Sequence, residues 1–288
     1  MPKLKIALPN KGRLAEPAIE IFNRAGFKFI DLTERRLFAK TADPEIEILF
    51  VRAADIPEYV ETGAANLGVT GYDLLMETKA NVENLLDLSF GQAKLVIAAS
   101  ETSNIKSIED IKPNAKVATE FPNITENYFK KKGIPVEIVK VTGAAEVAPH
   151  VGVADLIVDL TSTGTTLKVN RLNILDQIIE TSARLIANKR SYQIMRSKID
   201  EIVTALRSVI IAAGKYYVMM NIPKEKLNQI RKIMPGMAGP TVMDVQAEVP
   251  MVAVHAVVDE KDLSKTVNEA KKIGARDILV VRIERIVP

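Results

Sequence analysis

Residues 154–170 read ADLIVDLTSTGTTLKVN, and the change of pattern inside them dictates how the neighbouring chain must run. Asp155 to Asp159 is a short apolar stretch of the kind that forms a strand buried on both faces, with Asp159 at its end. Thr161-Ser162-Thr163-Gly164-Thr165-Thr166 then supplies five hydroxyls and one glycine before apolar helical spacing resumes at Leu167. The first N–H groups of a helix have no intrahelical acceptor, hydroxyls beside them add donors, and Gly164 lets the backbone come close, so a phosphate fits there. A Ser/Thr-rich N-cap without any ligand is the simpler alternative. Six consecutive small polar residues exceed what a cap needs. Asp159 itself suits sugar hydroxyls rather than phosphate. No Lys follows the glycine in the GK[ST] spacing, and no GxGxxG is present, so neither familiar nucleotide motif applies.

Upstream, the same strand, loop and helix grammar repeats. Lys3 to Leu8 reads as a strand, and Leu14, Ala18, Ile21, Phe22 and Ala25 then recur at helical spacing up to a stop at Gly26. Strand Ile46 to Val51, a helix through Tyr59, strand Asn66 to Thr70 and a helix opening at Gly71-Tyr72-Asp73 follow. From Lys94 the alternation restarts, with strands at Leu95–Ala99, Lys116–Thr119 and Val136–Val141 and a helix at Ile124–Lys132. Strands interleaved with helices predict parallel α/β sheets. Strand Ala183–Ala187 is placed to return the chain to the first lobe. That gives a two-lobed α/β region, with 1–92 and 183–213 as lobe I and 93–182 as lobe II.

Beyond a long amphipathic helix between Ser197 and Ala213 the pattern changes. Residues 214–288 read strand Tyr216–Met220, helix Lys224–Met234, strands Thr241–Val245 and Met251–Val257, helix Asp262–Ile273 and strand Asp277–Ile283. This βαββαβ order is a ferredoxin-like unit.

Several loops share the position where open α/β sheets place their ligands, just past a strand's carboxyl end. Asn10-Lys11-Gly12-Arg13 brings two cations and a glycine, which suit a polyphosphate. Arg52 with Asp55, and Gly71 with Asp73, belong to the same edge. Singly each reads as a surface loop; together they indicate a site. Arg35 and Arg36 either reach that edge or form a surface pair. Glu146, after Gly143, is either a partner facing Asp159 across the cleft or an acid satisfied by a helix N-terminus.

Composition excludes much else. Lys and Arg number 39 against 36 Asp and Glu, a net charge of +3, too small to imply nucleic acid or an anionic membrane. With no cysteine the chain has no disulfide, thiol nucleophile or cysteine metal site. His150 and His255, the two histidines, stand too far apart in the sequence for a metal site or a Ser-His-Asp relay. Pro9 and Lys11 interrupt any secretory core, and no apolar run is long enough to span a bilayer, so a cytoplasmic location is expected.

The stretches IALPNKGRL, VRAADIPEYVETGAANLGVTGYDLL, TGAAEVAPHVGVADLIVDLTSTGTTLKVNRL, KYYVMMNIP, PGMAGPTV and GARDILVVRIE, in this order, resemble the long, feedback-regulated form of ATP phosphoribosyltransferase over nearly the whole chain. The resemblance implies a catalytic region like a type II periplasmic binding protein and a C-terminal ferredoxin-like, ACT-like regulatory domain. It implies transfer of the phosphoribosyl group of phosphoribosyl pyrophosphate to N1 of ATP, with Mg2+ (ligands unassigned) and pyrophosphate as product. By position, Thr161, Ser162, Thr163, Gly164, Thr165 and Thr166 would hold the ribose 5-phosphate, and Asp159 and Glu146 would lie near the ribose. Lys11, Arg13, Arg36, Arg52 and Asp73 would surround ATP and pyrophosphate. Histidine, as feedback inhibitor, would bind near Thr241, Val257 and Asp277, in a homo-oligomer passing from dimer to hexamer. Other phosphoribosyltransferases commonly carry two adjacent acids before the Thr-Gly element, whereas Leu160 follows Asp159 here. That makes Glu146 the expected partner of Asp159. A solute-binding or sensor protein of the same two-lobed fold is the rival reading.

Overall fold

A computed structural model describes residues 3–30, 37–234, 236–237, 239–246 and 249–287. The chain divides into two compact units, 1–206 and 207–288. The division falls inside one continuous helix, Arg196–Ala212, rather than at Gly214. The end of that helix belongs to the second unit, since the N–H of Ile286 donates to the carbonyl of Ser208.

The first unit begins with β1 (Leu4–Pro9), α1 (Ala15–Arg24), β2 (Phe38–Lys40), β3 (Ile46–Val51), α2 (Ile56–Glu61), β4 (Leu67–Gly71), α3 (Tyr72–Thr78) and β5 (Glu83–Asp87). It continues with β6 (Ala93–Ser100), β7 (Ala115–Thr119), α4 (Pro122–Lys132), β8 (Val136–Lys140), β9 (Leu156–Thr161), α5 (Thr165–Val169) and β10 (Leu172–Thr181). The chain then returns through β11 (Ala183–Ala187), α6 (Lys189–Ile194) and α7 (Arg196–Ala212).

Two sheets result, ordered β2-β3-β1-β4-β11-β5 and β10-β6-β9-β7-β8. Leaving aside the short β2 edge, they share one plan. In each, three neighbouring strands run parallel and one antiparallel strand is inserted before the last. In lobe I the inserted strand is β11, which arrives from lobe II; in lobe II it is β6, which arrives from lobe I. The expected parallel sheets are present, each with one inserted antiparallel strand that the sequence pattern did not reveal. A strand entering from the opposite lobe runs against its new neighbours, and a pairing between Ala183 and Gly71 is too remote in sequence for local periodicity to reveal. The placement of β11 in the first lobe agrees with the sequence.

The lobe II core explains why its strands read as continuous apolar runs. Leu95, Ile97 and Ala99 of β6 pack with Val117, Leu156, Val158 and Phe129 on one face. The alternate residues Val96 and Ala98 pack with Ala118, Ile157, Ala145, Ala148 and Leu167 on the other. Both faces are covered, as strands wrapped by helices require, and each fully buried aliphatic side chain contributes about 1.5–3 kcal/mol. No helix among the described residues is long and apolar enough to cross a membrane.

The second unit forms β12 (Lys215–Pro223), α8 (Leu227–Ile233), β13 (Thr241–Val245), β14 (Met251–Asp259), α9 (Glu260–Lys272) and β15 (Arg276–Arg282). Its four strands are all antiparallel, in the order β13-β14-β12-β15. This is the expected βαββαβ arrangement. Val218, Met220, Ile222, Val252, Val254 and Ala256 bury one face of the sheet with Ile230 and Ala270 of the helices.

Candidate active site

Ile157 and Asp159 are two apart on β9, so they point to the same face of the sheet. Ile157 meets Ala145 and Ala148 there, which places Asp159 under the short 3-10 turn Ala145–Val147 that carries Glu146. The neighbouring strand β7 is parallel and in register, Thr119 with Val158. Glu120, the next residue, therefore stands beside Asp159. A Cβ built on Gly143 would lie 3.6 Å from Glu120 Oε1, which closes the ring of residues around the carboxylates. Burial pushes the Asp159 carboxyl up to about 6; the backbone N–H of Leu160, 2.7 Å from Oδ1, works against this, and the negative charges of Glu146 and Glu120 add to it. Glu146 thus lies within lobe II, not across the cleft as one alternative had it.

Immediately beyond, Thr161–Thr166 forms the turn into α5. The Thr161 hydroxyl accepts the N–H of Gly164 at 2.9 Å, and the Thr163 and Thr165 hydroxyls are 2.8 Å apart. Gly164 has φ +76 with open space where a Cβ would stand. Ser162, Thr163, Thr165 and Thr166 are exposed, while Leu167 anchors the turn in the core. The result is a rim of hydroxyls directly next to a cluster of three carboxylates.

The lobe I candidates separate into two groups. Lys11 and Arg13 follow β1, with Lys11 exposed. Arg13 donates to the carbonyl of Gly91 at 2.9 Å and to Asp73 Oδ1 at 3.3 Å. Asp73 is 1% exposed and also accepts the Thr181 hydroxyl, so its carboxylate is enclosed between Arg13 and Thr181. Arg52 is exposed and paired with Asp55 at 2.8 Å. Arg36, with Arg35, lies outside the described residues.

A cavity of about 360 Å3 opens where the lobes join, lined by Asp87, Lys94, Ser162, Glu180, Thr181 and Arg184 among others. Of the expected site residues among those described, Ser162 lines it. A larger one, about 810 Å3, lies against Asn114, His150 and Asp155 at the opposite end of the lobe II sheet, away from Asp159. His150 is engaged there with the carbonyl of Asn170 at 2.7 Å.

In the second unit the three expected histidine contacts do not converge. Thr241 is on β13 and Asp277 on β15, opposite edges of the sheet. Strand spacing alone puts them about 14 Å apart. Asp277 accepts from Asn221 at 3.0 Å, and Val257 borders a cavity of about 310 Å3 with Gly236, Asp262 and Thr266. One chain does not bring the three into a single pocket.

Glu120 and Thr181 were not singled out in the sequence. Glu120 had one available signal: it follows strand β7 as the other candidate residues follow theirs. Thr181 had none, because it ends an edge strand whose pairing is remote. Among the described residues no three His, Asp or Glu side chains are grouped so as to hold a metal ion.

Comparison with known proteins identifies the family of the chain. The family model described as ATP phosphoribosyltransferase matches residues 52–208, and that described as HisG, C-terminal domain matches residues 212–285. The ATP phosphoribosyltransferase of Methanothermobacter thermautotrophicus is 54% identical, covering 99% of this chain and 100% of its own. That of Methanocaldococcus jannaschii is 53% identical, covering 98% and 99%. A solved structure titled as the ATP phosphoribosyl transferase (HisG:HisZ) complex from Thermotoga maritima overlaps 72% of this chain and 98% of its own, with 33% identity and a TM-score of 0.64. The matches span the two-lobed unit and the ferredoxin-like unit alike, and the chain belongs to the ATP phosphoribosyltransferase family, transferases of histidine biosynthesis.

Proposed function

We propose that this chain transfers the phosphoribosyl group of phosphoribosyl pyrophosphate to N1 of ATP, giving phosphoribosyl-ATP and pyrophosphate, as a cytoplasmic enzyme. The observation that carries the reading is the apposition of Asp159, with Glu146 and Glu120 beside it, to the hydroxyl rim Thr161–Thr166. The rim would receive the 5-phosphate on exposed hydroxyls and on N–H groups of the turn. Asp159 and Glu146 would then lie next to the ribose.

In the reaction the bond from the anomeric carbon to the pyrophosphate oxygen breaks and a bond to adenine N1 forms. Positive charge builds on the sugar as the leaving group departs. Asp159 is buried and has Glu146 and Glu120 beside it, so its negative charge is better accommodated as positive charge develops on the sugar. Lys11 and Arg13, with Arg52 nearby on the same sheet edge, are the cations for the phosphates. Magnesium enters as part of the substrate, travelling with the donor's pyrophosphate, whose charge it neutralises. No covalent nucleophile is needed. The test is product formation from ATP, phosphoribosyl pyrophosphate and magnesium; absence of phosphoribosyl-ATP sinks the assignment.

We further propose that the ferredoxin-like unit binds histidine and lowers activity. The sheet face away from its helices supports an interfacial role. Met243, Leu279 and Val281 are each about half exposed there, opposite the core side chains. Apolar residues on an open sheet face suit contact with other copies of the chain. Because Thr241 and Asp277 stand on opposite edges, a pocket using both would need two copies. Sedimentation with and without histidine tests the dimer-to-hexamer step: an unchanged assembly overturns it.

A further inference from the structure

We infer that Thr181 is a positioning residue for the cation-bearing loop after β1, acting through Asp73 on Arg13. The inference rests on the reading that Lys11 and Arg13 meet the substrates' phosphates. Thr181 is the last residue of β10, where the chain leaves lobe II for lobe I, and it is 3% exposed. Its hydroxyl donates to Asp73 Oδ1 at 2.5 Å and accepts the N–H of Asp73 at 3.0 Å. The same Oδ1 accepts from Arg13 Nη2. Arg13 Nη1 donates in turn to the carbonyl of Gly91, in the segment by which the chain first passes from lobe I to lobe II.

One guanidinium therefore touches the outgoing crossing directly and the returning crossing through Asp73. The Asp73 carboxylate is folded tightly against the backbone, since a Cβ on Gly71 would sit 2.4 Å from Oδ1. A buried carboxylate persists only when paired and hydrogen-bonded. Here the partners are a fixed hydroxyl on one side and Arg13 on the other. The Arg13 side chain keeps 33% of its surface exposed, so it can be held at one end and still present charge to a phosphate. Any change in the angle between the crossings moves the loop with it.

The test compares Thr181→Val, which keeps the branched shape without the hydroxyl, with Thr181→Ser, Asp73→Asn, Arg13→Gln and the Arg13→Gln/Thr181→Val double variant, all in the full chain. Loss of the hydroxyl takes the acceptor from the buried Asp73 N–H and one donor from Oδ1, which keeps its bond to Arg13, so the ATP KM and the calorimetric ATP Kd should each rise about tenfold, with kcat held within about threefold. Thr181→Ser should restore both. In the Arg13→Gln background Thr181→Val should add nothing. Additive effects in the double variant, or unchanged ATP affinity in Thr181→Val, overturn the inference and leave the transferase reading standing. If Thr181→Val does not fold, Asp73→Asn carries the test, with the same rise and the same dependence on Arg13 expected. A wild-type chain that neither binds ATP nor forms product sinks both readings.

Discussion

Glu120 stands beside Asp159 because Thr119 and Val158 are in register on adjacent parallel strands. With Glu146 above them on its 3-10 turn, three acids share one end of the lobe II sheet. The acids are thus concentrated at one sheet end, where the proposed transfer, with its developing sugar cation, would use them.

Asp159→Asn should separate stability from activity. The folded carboxyl titrates near 6, against 3.8 for the free group, so the folded state holds the proton more firmly. Stability is then highest below the unfolded value and is lost as pH rises through the folded one. The amide removes this loss. Allowing for partial solvent screening, the variant should be more stable than wild type by about 1–2 kcal/mol at about pH 8 and no more stable at about pH 4. Its turnover should fall by about two to three orders of magnitude. Thermal unfolding across pH checks the first part; a difference that does not vary with pH contradicts it.

Glu120→Gln should move the acid limb of kcat/KM. If ionised Asp159 is the active form, activity falls below a midpoint of about 6 in the free enzyme. Removing one neighbouring negative charge lowers that midpoint, and weakens the field on the sugar cation so that the plateau drops about tenfold. A limb that stays in place in Glu120→Gln would show that Glu120 does not act on Asp159.

How local each signal is decides which features the sequence revealed and which it hid. The strand ending at Asp159, the hydroxyl turn and the helix opening at Tyr72 are written in consecutive residues, and each stands within a residue or two of its expected bounds. The partnership of Glu120 with Asp159 depends on the register of β7 against β9, which no window of the sequence contains. The edge strand β10 was missed for a related reason: LNILDQIIET is half-buried or exposed at all but its two end residues and broken by two register shifts, so it lacks clean alternation. Asp73 is expected at the nucleotide because it follows a strand; that it is buried against Thr181 depends on a contact 108 residues away that no local pattern contains.

Gly164→Ala should strain the turn without crowding it. No atom lies within 4 Å of the added Cβ, so the cost is that of a left-handed conformation, about 1 kcal/mol. The turn would relax by moving the Thr163 and Thr165 hydroxyls, and the KM for phosphoribosyl pyrophosphate should rise about fivefold with a smaller change for ATP. Initial-rate kinetics with each substrate varied in turn decides this. A change confined to the ATP KM would place the donor elsewhere.

Control by histidine should be removable without loss of the transferase. A chain ending at Gly214 keeps helix α7 whole, together with both sheets and the acids and hydroxyls of lobe II, and gives up boundary contacts that include Ile286 N–H to the Ser208 carbonyl and Glu260 N–H to the Gly214 carbonyl. The first unit has cores of its own on both faces of the lobe II sheet, so the shortened chain should fold and turn over. It should no longer respond to histidine, because the strands and helices bearing Thr241, Val257 and Asp277 are gone. Assays of both chains across histidine concentrations, with circular dichroism to confirm folding, read the difference. A shortened chain that folds and is still inhibited to the same degree would move the histidine site into the two-lobed unit and reduce the ferredoxin-like unit to an assembly surface.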